Sequence, residues 1–290
     1  MYKSLQEICE IEKAEKRPFW KIVQQDDCGE RGISERDAFE EMREMYHAMK
    51  DADTDYDAGL KSASELVGGD GQKIREAREA GTLICGPFIG KVMEKALKTA
   101  ESNACMKRIV AAPTAGSCGV VPAVFLSLQE EKHYSEDKMV EALYVAAGIG
   151  GVIASRAFLA GAAGGCQAEI GSASAMAAGG VAYLMGGNAT DIANAAALAL
   201  KNLLGLACDP VAGLVEVPCV KRNVIGAVNA LTSADLTMAG ISSKIPPDEV
   251  IDAMRSIGRN MPEDVRETGK GGLAGTPTGV EIRDRMMGTL

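Results

Sequence analysis

Apolar residues recur at helical spacing along most of the chain and nowhere alternate convincingly with period two. Leu5, Ile8, Cys9 and Ile11 share one face of a charged segment, which predicts a helix over 4–16 ended by Arg17-Pro18. Ser34, with Asp37 three residues on, has the form of a capping box and predicts a helix to about Lys50. A helix over roughly 88–101 follows, and then an extended piece stopped by Pro113. Thr114, Ala115, Gly116 and Ser117 read as a loop opening a helix through Val120, Val124 and Leu128, whose first amides would attract an anion. Ser135, backed by Glu136 and Asp137, caps the next, which runs through Ala142, Val145, Ile149 and Ile153 to Phe158. Further helices fit 168–185, 190–204, 220–239 and 248–259, the last opened by Pro246-Pro247-Asp248. The Gly-rich stretch 268–279 reads as a loop. The pattern is that of a mainly α protein, with an N-terminal helical region over 1–80 and a larger Gly/Ala-rich multi-helix domain over 81–290, able to form one continuous unit.

Composition sharpens this picture. With 33 glycines among 290 residues and only 4% aromatics, the interior must be filled by small side chains and closely approaching backbones. The balance of 31 basic against 40 acidic residues, with no concentrated basic stretch, argues against a nucleic-acid partner. Residues 170–190 carry no formal charge over a bilayer-spanning length, but they are mostly Ala and Gly, contain Ser172, Ser174 and Asn188, and are flanked by Glu169 and Asp191. A buried helix is expected there, and no membrane association. The first residues lack a signal-peptide pattern, so a cytoplasmic location is expected, where eight cysteines serve as packing residues, ligands or nucleophiles rather than disulfides. The acidic DADTDYD at 51–57 lacks the glycine and terminal Glu of a calcium loop and reads as a solvated turn.

Much chemistry is excluded at this level. His47 and His133 sit alone among charged residues, which removes support for triads and His-rich metal sites. GKGGLA at 269–274 has dinucleotide-fingerprint spacing without the strand and helix it needs, and there is no P-loop. GGDGQKIRE at 68–76 offers Lys73 as a competitor for a pyridoxal phosphate Schiff base. Cys85, Cys118, Cys166, Cys208 and Cys219 lie in apolar, Gly- or Pro-marked surroundings, unlike Cys9, Cys28 and Cys105. Their spacing fits no zinc or ferredoxin rule, so by spacing alone a shared cluster and ordinary buried thiols both remain open.

Four long segments carry more information: AAPTAGSCGVVPAV (111–124), GCQAEIGSASAMAAGG (165–180), CDPVAGLVEVPCVKRN (208–223) and MPEDVRETGKGGLAGTPTG (261–279). In this order they resemble the α chain of the iron-sulfur-dependent L-serine dehydratases, over most of the chain and most strongly after residue 105. The resemblance implies that 81–290 is an iron-sulfur catalytic domain, with a four-iron, four-sulfur (4Fe-4S) cluster held by Cys166, Cys208 and Cys219. Three thiolates leave one iron open as a Lewis acid for the carboxylate and hydroxyl of L-serine, and the product enamine hydrolyses to pyruvate and ammonia. Cys118 reads as a packing residue.

Around this centre the expected substrate-binding residues are Thr114, Gly116 and Ser117 at the helix start, Asn223 after Cys219, and Lys270, Gly271 and Gly272 closing over the site. Arg222 is expected to support it from behind. The Ser-Ser-His-Thr motif of single-chain family members is absent, which implies a separate small β chain and leaves the general base unassigned. Two other functions stay in competition, a cluster-dependent L-cysteine desulfidase and a non-catalytic iron-sulfur scaffold.

Overall fold

The computed structural model describes residues 2–288. Among them the chain is built from thirteen α-helices with short 3-10 and π turns; the only extended pairing is an isolated parallel bridge between Cys208 and Arg266. The mainly α expectation therefore holds.

The chain opens with α1 (Leu5–Glu15), α2 (Phe19–Arg31), α3 (Glu35–Thr54), α4 (Asp70–Glu79) and α5 (Gly86–Ala104). Ser4 and Ser34 cap α1 and α3 as their sequences direct, Ser34 Oγ accepting from the Asp37 N–H at 3.1 Å and donating to the Asp37 carboxylate at 2.8 Å. Helix α3 continues to Thr54, so the first part of the acidic 51–57 stretch is helical rather than a turn. Two of these five helices lie outside the expected set: α1 ends before Arg17-Pro18 as expected, but Pro18 then stands as the N-cap of α2, and α4 begins after Gly69, which has a φ of 81°.

The second group comprises α6 (Val120–Lys132), α7 (Glu136–Arg156), α8 (Gly161–Gly164), α9 (Ser172–Leu184), α10 (Ala189–Lys201), α11 (Cys219–Met238), α12 (Pro247–Asn260) and α13 (Pro277–Met287). Helix α13 replaces the end of the expected 268–279 loop. Helix α9 is central, packed by α6, α7, α10 and α11, and only Tyr183 in it escapes burial. A Cβ on Gly179 would lie 2.1 Å from Ile149 Cδ1, and one on Gly180 would lie 2.3 Å from Phe125 Cζ. Glycine is therefore what lets these helices approach. At 1.5 Å per residue α9 is about 20 Å long, short of the ~30 Å a bilayer core demands. The longer α7 is apolar enough to span one by composition, yet 67% of that stretch is buried inside the protein.

One hydrophobic core runs through both halves of the sequence, joining Leu5, Phe19, Ile22 and Tyr46 to Val124, Ile149, Ala177 and Leu200. Between α3 and α5 a charged group is buried: Asp53 accepts from Lys95 Nζ at 2.6 Å and pairs with Lys98 Nζ at 2.8 Å.

Candidate functional site

Three chain segments meet at the ends of α9 and α11. Cys166 stands just before the π turn Gln167–Gly171 that leads into α9. Its neighbour Gln167 is fully buried and bolts this turn in place, donating to Gly164 O at 2.8 Å and Met254 O at 3.2 Å and accepting from Gly205 N at 2.9 Å. The Gln167 N–H also reaches Leu206 O at 3.0 Å, tying Cys166 to the approach to Cys208. Cys208 is clasped on both sides, its N–H on Val265 O at 2.8 Å and its carbonyl accepting from Glu267 N at 2.7 Å. Cys219 is the first residue of α11. The preceding Glu216 is buried and accepts from Ser62 Oγ at 2.9 Å and from Ser64 Oγ, which anchors the Cys219 segment to the 62–67 loop.

All three cysteines are buried and none forms a disulfide. Burial pushes the Cys166 thiol up to about 11, against the opposing pull of the Arg222 guanidinium beside it. Cys219 rises to about 12, from burial first and then from Cys166 and Glu169. Cys208 is raised as well, by burial and then by Cys166, Glu169 and Cys219. The three thiols thus feel one another's charge. Cys118 does not belong to this group: burial alone lifts it, and its thiol donates to Thr99 O at 3.8 Å.

Among the described residues no three His, Cys, Asp or Glu side chains surround a single metal ion. A 4Fe-4S cluster makes a different demand, because each thiolate binds a separate iron. The donor set fits it: three reduced, buried sulfurs, costly as anions in isolation, whose ionisation a bound cationic centre would favour. Arg222 adds fixed positive charge, with Nη1 on Ala207 O at 2.6 Å and Nη2 on Asp209 Oδ1 at 2.9 Å.

The expected substrate-binding residues divide. Thr114 reaches the thiol group through its hydroxyl, which donates to Glu169 Oε1 at 2.7 Å, and a Cβ on Gly116 would lie 3.1 Å from the same oxygen. Ser117 is fully buried with its hydroxyl spent on the Thr114 cap. Asn223 is equally enclosed, donating to Gly116 O at 2.9 Å and Cys219 O at 3.0 Å while accepting from Gly119 N at 2.9 Å. Both serve the backbone here. Gly271 and Gly272 lie over the Cys208 side, where Asp209 Oδ2 accepts from Leu273 N at 2.9 Å and a Cβ on Gly272 would approach that oxygen to 2.5 Å. Lys270 is exposed beside them.

Glu169 was not among the expected residues. Its carboxylate is 4.0 Å from Cys208 Sγ, and burial and then the nearby Glu267 raise its pKa while the Thr114 hydroxyl lowers it. Elsewhere, Lys73 is an exposed side chain paired with Asp70 at 2.8 Å, His47 pairs with Glu136 at 2.9 Å, and His133 ends α6 in a left-handed conformation. None of them joins the cysteine site.

Comparison with known proteins points to a single family. The family profile described as "Serine dehydratase alpha chain" matches residues 5–274. The "Probable L-serine dehydratase, alpha chain" of Bacillus subtilis (strain 168) is 44% identical over 288 residues, covering 99% of this chain and 96% of that protein. A protein of the same name from Latilactobacillus sakei is 53% identical over 198 residues, covering 68% of this chain and 95% of its own. The "L-serine dehydratase, alpha chain" of Peptoniphilus asaccharolyticus is 46% identical over 219 residues, covering 76% and 75%. With matches this extensive, the chain belongs to the serine dehydratase alpha-chain family.

Proposed function

We propose that this chain is the α subunit of an iron-sulfur-dependent L-serine ammonia-lyase, converting L-serine to pyruvate and ammonia, with Cys166, Cys208 and Cys219 holding a 4Fe-4S cluster. The observation that carries this reading is the meeting of three buried, reduced thiols from distant segments within electrostatic reach of one another. Relatives that carry the name L-serine dehydratase, one matched over 99% of this chain and another over 76%, support the substrate and reaction.

When bound, such a group supplies an open Lewis-acidic iron that polarises the carboxylate and β-hydroxyl of the substrate. The chain's own residues do the rest. Arg222 offsets the negative charge gathered by the thiolates, and Asp209 fixes Arg222 while drawing the Gly-rich 269–275 segment against Cys208. Lys270 extends from that segment as a cation for the substrate carboxylate, with Gly271 and Gly272 admitting it closely. Thr114 and Gly116 form the opposite wall, and Ser117 and Asn223 hold that wall in register with Cys219. A small β chain completes the enzyme, in a reducing compartment where free cysteines persist.

Anaerobic reconstitution with iron and sulfide, alone and with a β chain, followed by pyruvate assay on L-serine and L-cysteine, tests the reading. Cys166→Ala, Cys208→Ala and Cys219→Ala are each expected to lose bound iron, and Cys9→Ala and Cys28→Ala to keep it. Full iron content in any of the first three refutes the ligand set. Preference for L-cysteine, or turnover indifferent to iron, refutes the reaction.

A further inference from the structure

A carboxylate without a cation stands at the centre of the candidate site. The π turn at 167–171 presents Glu169 to the thiols, a local geometry that often marks functional positions. One oxygen, Oε1, is held by the Thr114 hydroxyl at 2.7 Å; the other, Oε2, has only the Cys208 thiol, at 4.0 Å. Among the described residues no Lys, Arg or His pairs with Glu169; Arg222, the guanidinium of this site, is committed to Asp209, Ala207 O and Cys166.

Glycine lets the backbone close on this carboxylate from two sides. A methyl group on Gly161 would stand 2.7 Å from Cys208 Sγ, 2.9 Å from Glu169 Oε2 and 3.3 Å from Glu267 Oε2. On the other side a methyl on Gly116 would stand 3.1 Å and 3.4 Å from the two Glu169 oxygens. Cys208 is itself buried to 2% exposure, so its thiol is directed into the same spot rather than to solvent. A half-buried anion beside a second carboxylate and a thiol is costly unless a positive group comes between them. An α-ammonium group carries one positive charge and three donors on a compact head, which suits Glu169 Oε2 with Glu267 alongside.

We infer that Glu169 receives the α-ammonium group of the amino-acid substrate, and so makes the site select amino acids over hydroxy acids. The inference rests on the proposed function, since it takes the ligand at the thiols to be an amino acid. It also orients the substrate: an ammonium held at Glu169 leaves the carboxylate to the Lys270 side, across the thiol group.

The test uses anaerobically reconstituted holoenzyme and two unreactive ligands that differ in the amine alone, L-alanine and propanoate, with binding read by calorimetry and by the cluster absorption spectrum. In the wild type, L-alanine is expected to bind ~10- to 100-fold more tightly than propanoate, as a charge-assisted hydrogen bond supplies. Glu169→Gln is expected to abolish that advantage, leave propanoate within about twofold, and keep full iron content. Equal affinities in the wild type overturn the inference without any variant. An unchanged preference in Glu169→Gln overturns it too, as does equal weakening of both ligands or loss of iron from the variant. Absence of iron from the reconstituted wild type sinks the underlying reading instead, and with it this one.

Discussion

Asn223 offers a sharp test of how the site is assembled, because every polar atom of its side chain is spent on backbone. Its Nδ2 donates to Gly116 O at 2.9 Å and to Cys219 O at 3.0 Å, and its Oδ1 accepts from Gly119 N at 2.9 Å, all at 1% exposure. The turn has no room to rearrange, since a Cβ on Gly119 would already lie 2.5 Å from Ala96 O. Asn223→Ala orphans at least the Gly119 N–H and the Gly116 carbonyl, at about 1–3 kcal/mol each, so a loss of about 2–6 kcal/mol is expected. For a chain of 290 residues the unfolding entropy near the midpoint is about 0.6 kcal/mol per degree, which turns that loss into a fall in Tm of about 3–10 °C. Asn223→Asp is the decisive variant. It keeps the acceptor for Gly119 but sets an anionic oxygen against two carbonyls, so this near-isosteric change is expected to cost at least as much as the truncation. Thermal melts followed by circular dichroism, with iron content measured in parallel, read both effects. An Asn223→Asp chain that melts within about 1 °C of the wild type, a difference of ~0.6 kcal/mol by the same conversion, refutes the reasoning.

Three further perturbations probe separate parts of the structure. Gly161→Ala places a methyl group 2.7 Å from Cys208 Sγ and is expected to reduce iron bound on reconstitution while leaving the helical circular dichroism unchanged; undiminished iron uptake contradicts the clearance argument. Gly179→Ala drives a methyl into Ile149 Cδ1 at 2.1 Å, an overpacking expected to cost about 1–3 kcal/mol in urea titration, and an unshifted midpoint contradicts it. At Asp53, burial pushes the carboxyl up and Lys95 and Lys98 more than reverse this, leaving it below the ordinary 3.8, while Lys95 lies above its ordinary 10.5 despite burial. The carboxylate's contribution to stability is thus complete above pH 3.8 and fades as pH falls through its lower folded value; that of Lys95 is complete below pH 10.5 and fades above it. Asp53→Asn is expected to cost about 3–5 kcal/mol at neutral pH and to flatten the acid limb of a stability profile, and an unchanged acid limb counts against the pairing.

The helices that were legible in the sequence are those whose start is written locally and whose apolar face is continuous. Ser34, Ser135 and their acidic followers place α3 and α7 correctly. Helix α4 had no such signal. Its sequence DGQKIREARE is polar on nearly every side, and its first amides are satisfied from another part of the chain: Glu101 accepts from Asp70 N at 2.8 Å and from Gly71 N at 3.2 Å. A cap supplied by a distant side chain leaves no trace in the segment it caps. Helix α13 differs, for Thr276 caps it in the ordinary way with Pro277 behind, a signal hidden by the glycines before it.

The same distinction governs the site. Nothing in the spacing of Cys166, Cys208 and Cys219 announces that they meet, because what gathers them is Gln167 on Leu206, Glu267 on Cys208 and Ser62 on Glu216, all contacts between distant segments. Only the resemblance of whole segments singled these three out. Glu169 was hidden less deeply. Between Arg156 and Asp191 it is the one charged residue in the sequence, in a stretch so rich in Ala and Gly that the fold must bury it. A charge retained at such a position needs a partner inside the protein, and the residues around Glu169 supply a hydroxyl but no cation. The α-ammonium group inferred above would supply that positive charge, and for that reason binding of an amine, more directly than turnover, probes what this carboxylate is for.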